Sequence, residues 1–303
     1  MKDMKTTSFS FLAIGKTQES KDTPDGFKRY VGLASSYILA VNPTKKELDE
    51  IRGFESQSEP EYIKDTENGK EVHINFLVKP APELYEGVDM TAQVMFTLRQ
   101  AAAYNRDETK VQVVDQYGNF AYIPTEDAKN GRKPENIGKL DTKFRMACVG
   151  EADLVTFLKK YLCVQDAFNY VNGSWVKKDH PEDYVFGLEQ IKEYFKGDFK
   201  ELKEALALQP NNKIKLLYGV RTTDEGKQYQ AVASRSDLFL ANNAGANAIT
   251  KMAERLAEMK SQGSYSNTEF KVQELQEYDV QPTNLESTQE AKTEDNSSEM
   301  PWD

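Results

Sequence analysis

The stretch Lys110-Val111-Gln112-Val113-Val114-Asp115-Gln116-Tyr117-Gly118-Asn119-Phe120-Ala121-Tyr122-Ile123-Pro124 decides how the chain is read. Two arms of β-branched and aromatic residues flank Asp115 to Asn119, whose Asp, Gly and Asn favour a tight reversal, so the segment reads as a β-hairpin. Side chains alternate along a strand, which sets Phe120 and Tyr122 on one face of the return arm. The same period of two recurs outward from this hairpin. Val72, Ile74, Phe76 and Val78 alternate with His73, Asn75 and Leu77, and Ala92, Val94, Phe96 and Leu98 share a face between Met90 and Arg99. Further strands are expected over Thr7 to Gly15, Phe27 to Val41 and Thr142 to Val149. Lys213 to Arg221 reverses at Thr222 to Gly226 into a return arm over Lys227 to Ser234.

Helical spacing is confined to fewer segments. Thr44 with Glu47 three residues on forms a capping box for a short helix that Gly53 stops. Leu154, Phe157, Leu158 and Tyr161 recur as on one helix face, and a longer amphipathic run from about Asp183 to Leu208 is divided near Gly197. A last helix is expected over Ala246 to Lys260. The layout is mainly β within an α+β class, an antiparallel β-barrel, open or closed, with a helical insertion at about 151–210. Residues 1–262 form the body, long enough to bury a full core.

Residues 263–303 differ from the body in composition. From Ser264 onward ten acidic residues stand against Lys271 and Lys292, so this segment holds −8 of the chain's net −10 and leaves the body at about −2. Large apolar groups are too sparse there to offset the entropy of ordering, which predicts a disordered acidic tail. It ends in Glu299-Met300-Pro301-Trp302-Asp303.

The chemistry of catalysis is poorly supplied. Gly131 to Gly138-Lys139 has the wrong spacing for a phosphate loop, with Leu140 where a magnesium-binding hydroxyl belongs. His73 and His180 have no neighbouring nucleophile or second ligand in sequence, and Cys148 and Cys163 are too widely spaced for a zinc cluster. No catalytic residue, metal or cofactor is expected. No apolar run approaches the length that spans a bilayer, and the serine-broken Ser8 to Ile14 reads as a strand rather than a signal peptide. A cytoplasmic location, with free thiols, follows.

Cations interleaved with rings do recur. Single-stranded nucleic acid is bound by cations that track phosphates and rings on which bases stack. The candidates for that role are Lys28, Arg29, Tyr30, Arg99, Tyr104, Tyr117, Tyr122, Lys143, Arg145, Lys215, Tyr218, Arg221, Tyr229 and Arg235. Phe96 and Phe120 are assigned to the core.

Two resemblances complete the reading. An acidic tail closing on Pro and an aromatic residue resembles those of bacterial and phage single-stranded DNA-binding proteins, although the bacterial pattern ends on the aromatic itself whereas Asp303 follows Trp302 here. The layout of Phe27-Lys28-Arg29-Tyr30-Val31-Gly32, Tyr37 to Thr44, the central hairpin and the Pro-Trp tail is similar to proteins of crAss-like tailed phages of Bacteroidetes. The resemblance implies an oligonucleotide-binding (OB) barrel that coats single-stranded DNA in replication, recombination and repair, in the host cytoplasm. It also implies that Met300, Pro301, Trp302 and Asp303 recruit replication or recombination proteins, with self-association as a further expectation. A virion scaffold and a strand-annealing recombination protein remain as alternatives.

Overall fold

The computed structural model describes residues 28–278 except positions 54, 56–57, 68, 163–167 and 180–183. The expected strand over Thr7 to Gly15, together with Phe27, Cys163, His180 and Met300 to Asp303, lies outside the described residues.

The main sheet is built on β1 (Arg29–Val41), which exchanges neighbours along its length. Gly32 to Ser36 pair antiparallel with β12 (Ile214–Thr222), while Ser36 to Val41 pair with β3 (Gly69–Pro80). β3 continues to β4 (Ala92–Ala102) and carries β2 (Ile63–Thr66) on its other side, and β12 continues to β13 (Gln228–Val232). The expected inward faces are found: Val72, Ile74, Phe76, Val78, Ala92, Val94, Phe96 and Leu98 are all buried. The order β13-β12-β1-β3-β4-β8 is an open path, where β8 is Cys148–Val149. Among the described residues a closed barrel is therefore not formed. The sheet curls until Cα atoms of β13 and β4 come within 8 Å, but those strands do not pair.

The concave side is filled by α3 (Glu151–Leu162), in which Leu154, Val155, Phe157, Leu158, Tyr161 and Leu162 are buried. Phe157 meets Phe76, Phe96 and Phe239 at ring-centroid distances of 4.8, 5.2 and 5.1 Å. This helix is part of the core and not an insertion upon it. The rest of the expected helical block is also corrected. It holds a three-stranded sheet of β9 (Phe168–Val171), β10 (Ser174–Lys177) and β11 (Tyr184–Gly187), followed by the short helices α4 (Ile191–Tyr194) and α5 (Lys200–Ala207).

The central hairpin is present as β5 (Lys110–Asp115) and β6 (Phe120–Pro124), joined by β7 (Phe144–Met146) into a second small sheet over Val111, Val113, Ile123 and Leu140. The strand expected over Thr142 to Val149 is split at Ala147, one half serving this sheet and the other, β8, the main sheet. The other α-helices among the described residues are α1 (Lys45–Arg52), with its Thr44/Glu47 capping box, α2 (Thr125–Lys129) and α6 (Ala246–Ser261). α6 covers the outer side of β12, where Met252, Leu256 and Met259 pack with Leu217 and Phe270.

Disorder from Ser264 onward is corrected for the first fifteen residues. β15 (Thr268–Phe270) pairs with β12, β16 (Gln276–Tyr278) pairs with Arg29 to Val31 of β1, and Phe270 and Leu275 are buried. Two apolar side chains placed against an existing sheet suffice here, because main-chain pairing comes with them. Gly32 makes the closest approach possible. Its φ is +141°, and an added Cβ would lie 2.5 Å from the Leu275 Cα. Phe270 and Leu275 contribute about 3–6 kcal/mol together at about 1.5–3 kcal/mol for each fully buried side chain. A chain ending at Gly263 is expected to be less stable by that amount in urea denaturation than one ending at Tyr278.

Candidate nucleic-acid interface

Asp115 organises the turn of the β5–β6 hairpin. Its carboxylate is buried and accepts from the backbone N–H of Tyr117 (2.8 Å), Asn119 (2.9 Å) and Asp141 (2.9 Å), and from the Asn119 amide (3.0 Å). Burial pushes its pKa up, but these donors outweigh burial and hold it below the usual carboxylate range. The turn is thereby tied to the loop leading into β7. It presents Tyr117, and the Asn119 amide also donates to the Lys139 carbonyl, placing Lys139 beside the turn.

On the outer face of this sheet the register sets Tyr122 opposite Gln112, with Lys110 two residues along, and Arg145 opposite Val114. Tyr104 bridges to Val111, and Asn105 donates its N–H to the Lys110 carbonyl, which brings the loop bearing Arg106 to the same end. Tyr104, Tyr117 and Tyr122 are 41–45% exposed, enough for a ring face to be reached. Arg106, Lys110, Lys139 and Lys143 are exposed and have no carboxylate partner among the described residues. The structure thus places Tyr104, Tyr117, Tyr122, Lys143 and Arg145 of the expected set on or beside this one small sheet: Tyr117 and Lys143 at its turn end, Tyr122 and Arg145 along its outer face, and Tyr104 at the far end, opposite the inward-facing Val111.

Arg145 is largely committed. Its guanidinium forks onto Glu151 at 2.5 and 3.0 Å, and Glu151, fully buried, also accepts from the Cys148 N–H at 2.9 Å. Burial alone would lower the Arg145 pKa, but the Glu151 carboxylate raises it on balance. Burial also pushes the adjacent Cys148 thiol well up, so it is not a reactive thiolate.

A second, smaller group lies at the free end of the β12–β13 hairpin. Arg221 stands opposite Tyr229, which is 51% exposed, and Arg29 donates to the Gln228 carbonyl at 3.2 Å. Lys28 is there too, paired with Glu277 of β16 at 3.5 Å. The remaining cations are scattered. Arg99 pairs with Glu71 at 2.8 Å, Lys215 donates to the Ala244 carbonyl at 3.2 Å, and Arg235 is exposed ahead of β14 (Leu240–Ala241).

Tyr30 and Tyr218 are corrections. They are 4% and 0% exposed, and the Tyr218 hydroxyl bonds that of Ser36 at 2.7 Å, so neither ring is open to a base. Ile214, Leu216 and Tyr218 fall on one strand face, a pattern in the sequence that marks this ring as core. Phe96 is in the core as expected, and Phe120, partly buried, packs against the same core. Arg106, Lys110 and Lys139 were not singled out from sequence. Their proximity to the hairpin arms and turn was the available signal.

The chain matches no protein-family model, no curated protein and no solved structure. Among the described residues, no group of three or more His, Cys, Asp and Glu is placed to hold a metal ion, and no helix is long and apolar enough to cross a membrane.

The depressed Asp115 pKa makes the hairpin pH-dependent. Its contribution is complete above the ordinary carboxylate value, about 4, and is lost as pH falls through the lower folded value. Wild type is expected to exceed Asp115→Ala in urea stability by about 1–3 kcal/mol at neutral pH. That gap is expected to narrow progressively in acid, as measured by urea titrations across the acidic range.

Proposed function

We propose that this chain is a non-catalytic protein that binds single-stranded DNA, with its main contact surface on the β5–β6–β7 sheet and the adjoining loops. The observation that carries the reading is that three half-exposed tyrosines and Arg106, Lys110, Lys139 and Lys143, cations without carboxylate partners among the described residues, are strung along one small sheet and its adjoining loops. Stacking platforms and phosphate-tracking charges along one track are what sequence-tolerant binding of single strands requires. Duplex-reading devices such as a projecting recognition helix play no part in this reading.

The fold class we infer is a partly open relative of the OB barrel, supported by the five antiparallel strands β13-β12-β1-β3-β4 that curl until their ends approach. A role in phage replication, recombination or repair, and recruitment of partner proteins by Met300 to Asp303, rests on the resemblance in layout and tail composition.

Retention on oligo-dT is expected to weaken steeply as salt rises, through counterion release. Tyr117→Ala and Tyr122→Ala should each weaken binding by about 1–3 kcal/mol without loss of stability. Tyr218→Ala should instead lower stability by about 3–5 kcal/mol. Fluorescence anisotropy with a labelled oligonucleotide, run beside urea denaturation, separates these effects. A folded sample that fails to bind at low salt would sink the reading.

A further inference from the structure

Between the two small sheets lies a cleft of about 400 Å³. One wall is the β5–β6 turn and the run into β7, contributing Val114, Gln116, Lys143 and Phe144. The other is the β9–β10 turn with Leu188 and Glu189. This size is at the lower end of small-molecule sites, room for one nucleoside and not for a length of strand.

The cleft is held open by contacts between its walls. Gly173 comes so near the opposite turn that an added Cβ would lie 2.6 Å from the Gln116 carbonyl oxygen. The Leu188 N–H donates to the Gly173 carbonyl at 2.7 Å, which ties the second wall to itself, and Lys159 of α3 links the two walls by reaching the Gly118 carbonyl at 3.4 Å while lying over the Tyr170 ring. A ligand would enter a formed site, with little ordering to offset.

Its charges are balanced and mostly engaged. Asp115 is satisfied by neutral donors of its own turn, Glu189 by Lys192 and Arg145 by Glu151, which leaves Lys143 as the one lining charge with neither an ionic nor a hydrogen-bond partner among the described residues. The groups that remain are neutral donors and acceptors on Asn172 and Ser174 and the Gln116 side-chain carbonyl, the Gln116 amide donating to Asp141 at 2.7 Å, beside the apolar Val114, Leu188 and the Phe144 ring. A phosphate, needing convergent positive charge, is poorly matched. A flat, neutral, hydrogen-bonding group is well matched.

We propose that the cleft receives one nucleobase of the bound strand. The inference rests on the single-strand binding proposed above and deepens it, giving the protein a base-selective subsite beside a sequence-tolerant track. Tyr117, adjacent to Gln116 in the same turn, carries the neighbouring base, and Lys143 at the rim holds the phosphate between them.

The test titrates the full chain, Ser174→Phe and Asn172→Gly with equal-length homopolymers of dT, dA and dC at two salt concentrations. Ser174→Phe fills the cleft; Asn172→Gly removes a polar group while keeping the left-handed backbone, φ +52°, that the turn requires. The wild-type chain is expected to prefer one homopolymer. Both variants should lose about 10-fold in affinity for it, flattening the preference with no change in the slope of log affinity against log salt. Unchanged affinity and preference in either folded variant overturns the subsite while single-strand binding stands. Loss accompanied by a shallower salt slope also overturns it, since the cleft would then hold a phosphate. A wild-type chain that binds no homopolymer removes both proposals. If Ser174→Phe does not fold, Asn172→Gly decides.

Discussion

Four phenylalanine rings, Phe76, Phe96, Phe157 and Phe239, pack at centroid distances from 4.8 to 5.8 Å, and the remaining architecture is arranged around them. Each comes from a different element: β3, β4, α3 and the approach to β14. Edge-to-face and tilted ring pairs add a directional term to ordinary apolar burial, so they set the angle at which α3 enters the curl of the sheet. Everything proposed for binding is then positioned from α3. Its first residue, Glu151, takes the Arg145 fork; Lys159 holds the hairpin turn; and Lys160 donates to the carbonyls of Ser236 and Phe239. A helix stuffed into a sheet also explains why the barrel does not close, because the side chains of α3 occupy the width that closure would remove.

The strands, their faces and the two long hairpins were legible because period-two alternation survives wherever one face is buried and the other is wet. Val72 to Val78 and Ala92 to Leu98 are the clearest cases. Ring placement was less legible. Tyr30 and Tyr218 are flanked in sequence by cations that project to the opposite face, and adjacency along a strand is not adjacency in space. The β9–β10 hairpin carried a plain signal, Asn172-Gly173 between β-prone arms, with both residues at positive φ as such a turn demands. It was obscured by the helical periodicity on either side. The structured start of the acidic segment was hidden by averaging: over forty residues Phe270 and Leu275 are few, yet both find prepared positions on the sheet.

Charge is economised in a way that composition does not reveal. Lys28, Arg99 and Arg145, all plausible phosphate ligands by type, are paired with Glu277, Glu71 and Glu151. The first two pairs are wholly or partly exposed and contribute little stability, whereas Glu151 is buried; all three cancel the local field. The cations left over, Lys110, Lys139 and Lys143 among them, gather near one small sheet, so a body close to neutral still offers a directional positive surface.

The partner exchange of β1 has a consequence for how the chain is made. Residues 32–36 can complete their pairing only when 214–218 exist, and 29–31 only when 276–278 do. At ribosomal rates of about 5–20 residues per second, β1 waits roughly 10–50 s with Val31, Leu33 and Ala34 uncovered on an unsatisfied edge. Such long-range pairing is intrinsically slow to form after release as well. The earliest described strand of the main sheet is thus the last to be finished. In the nascent protein it is the segment most in need of a holding chaperone, and slower, cooler synthesis with chaperone present favours its correct closure over association with neighbouring chains.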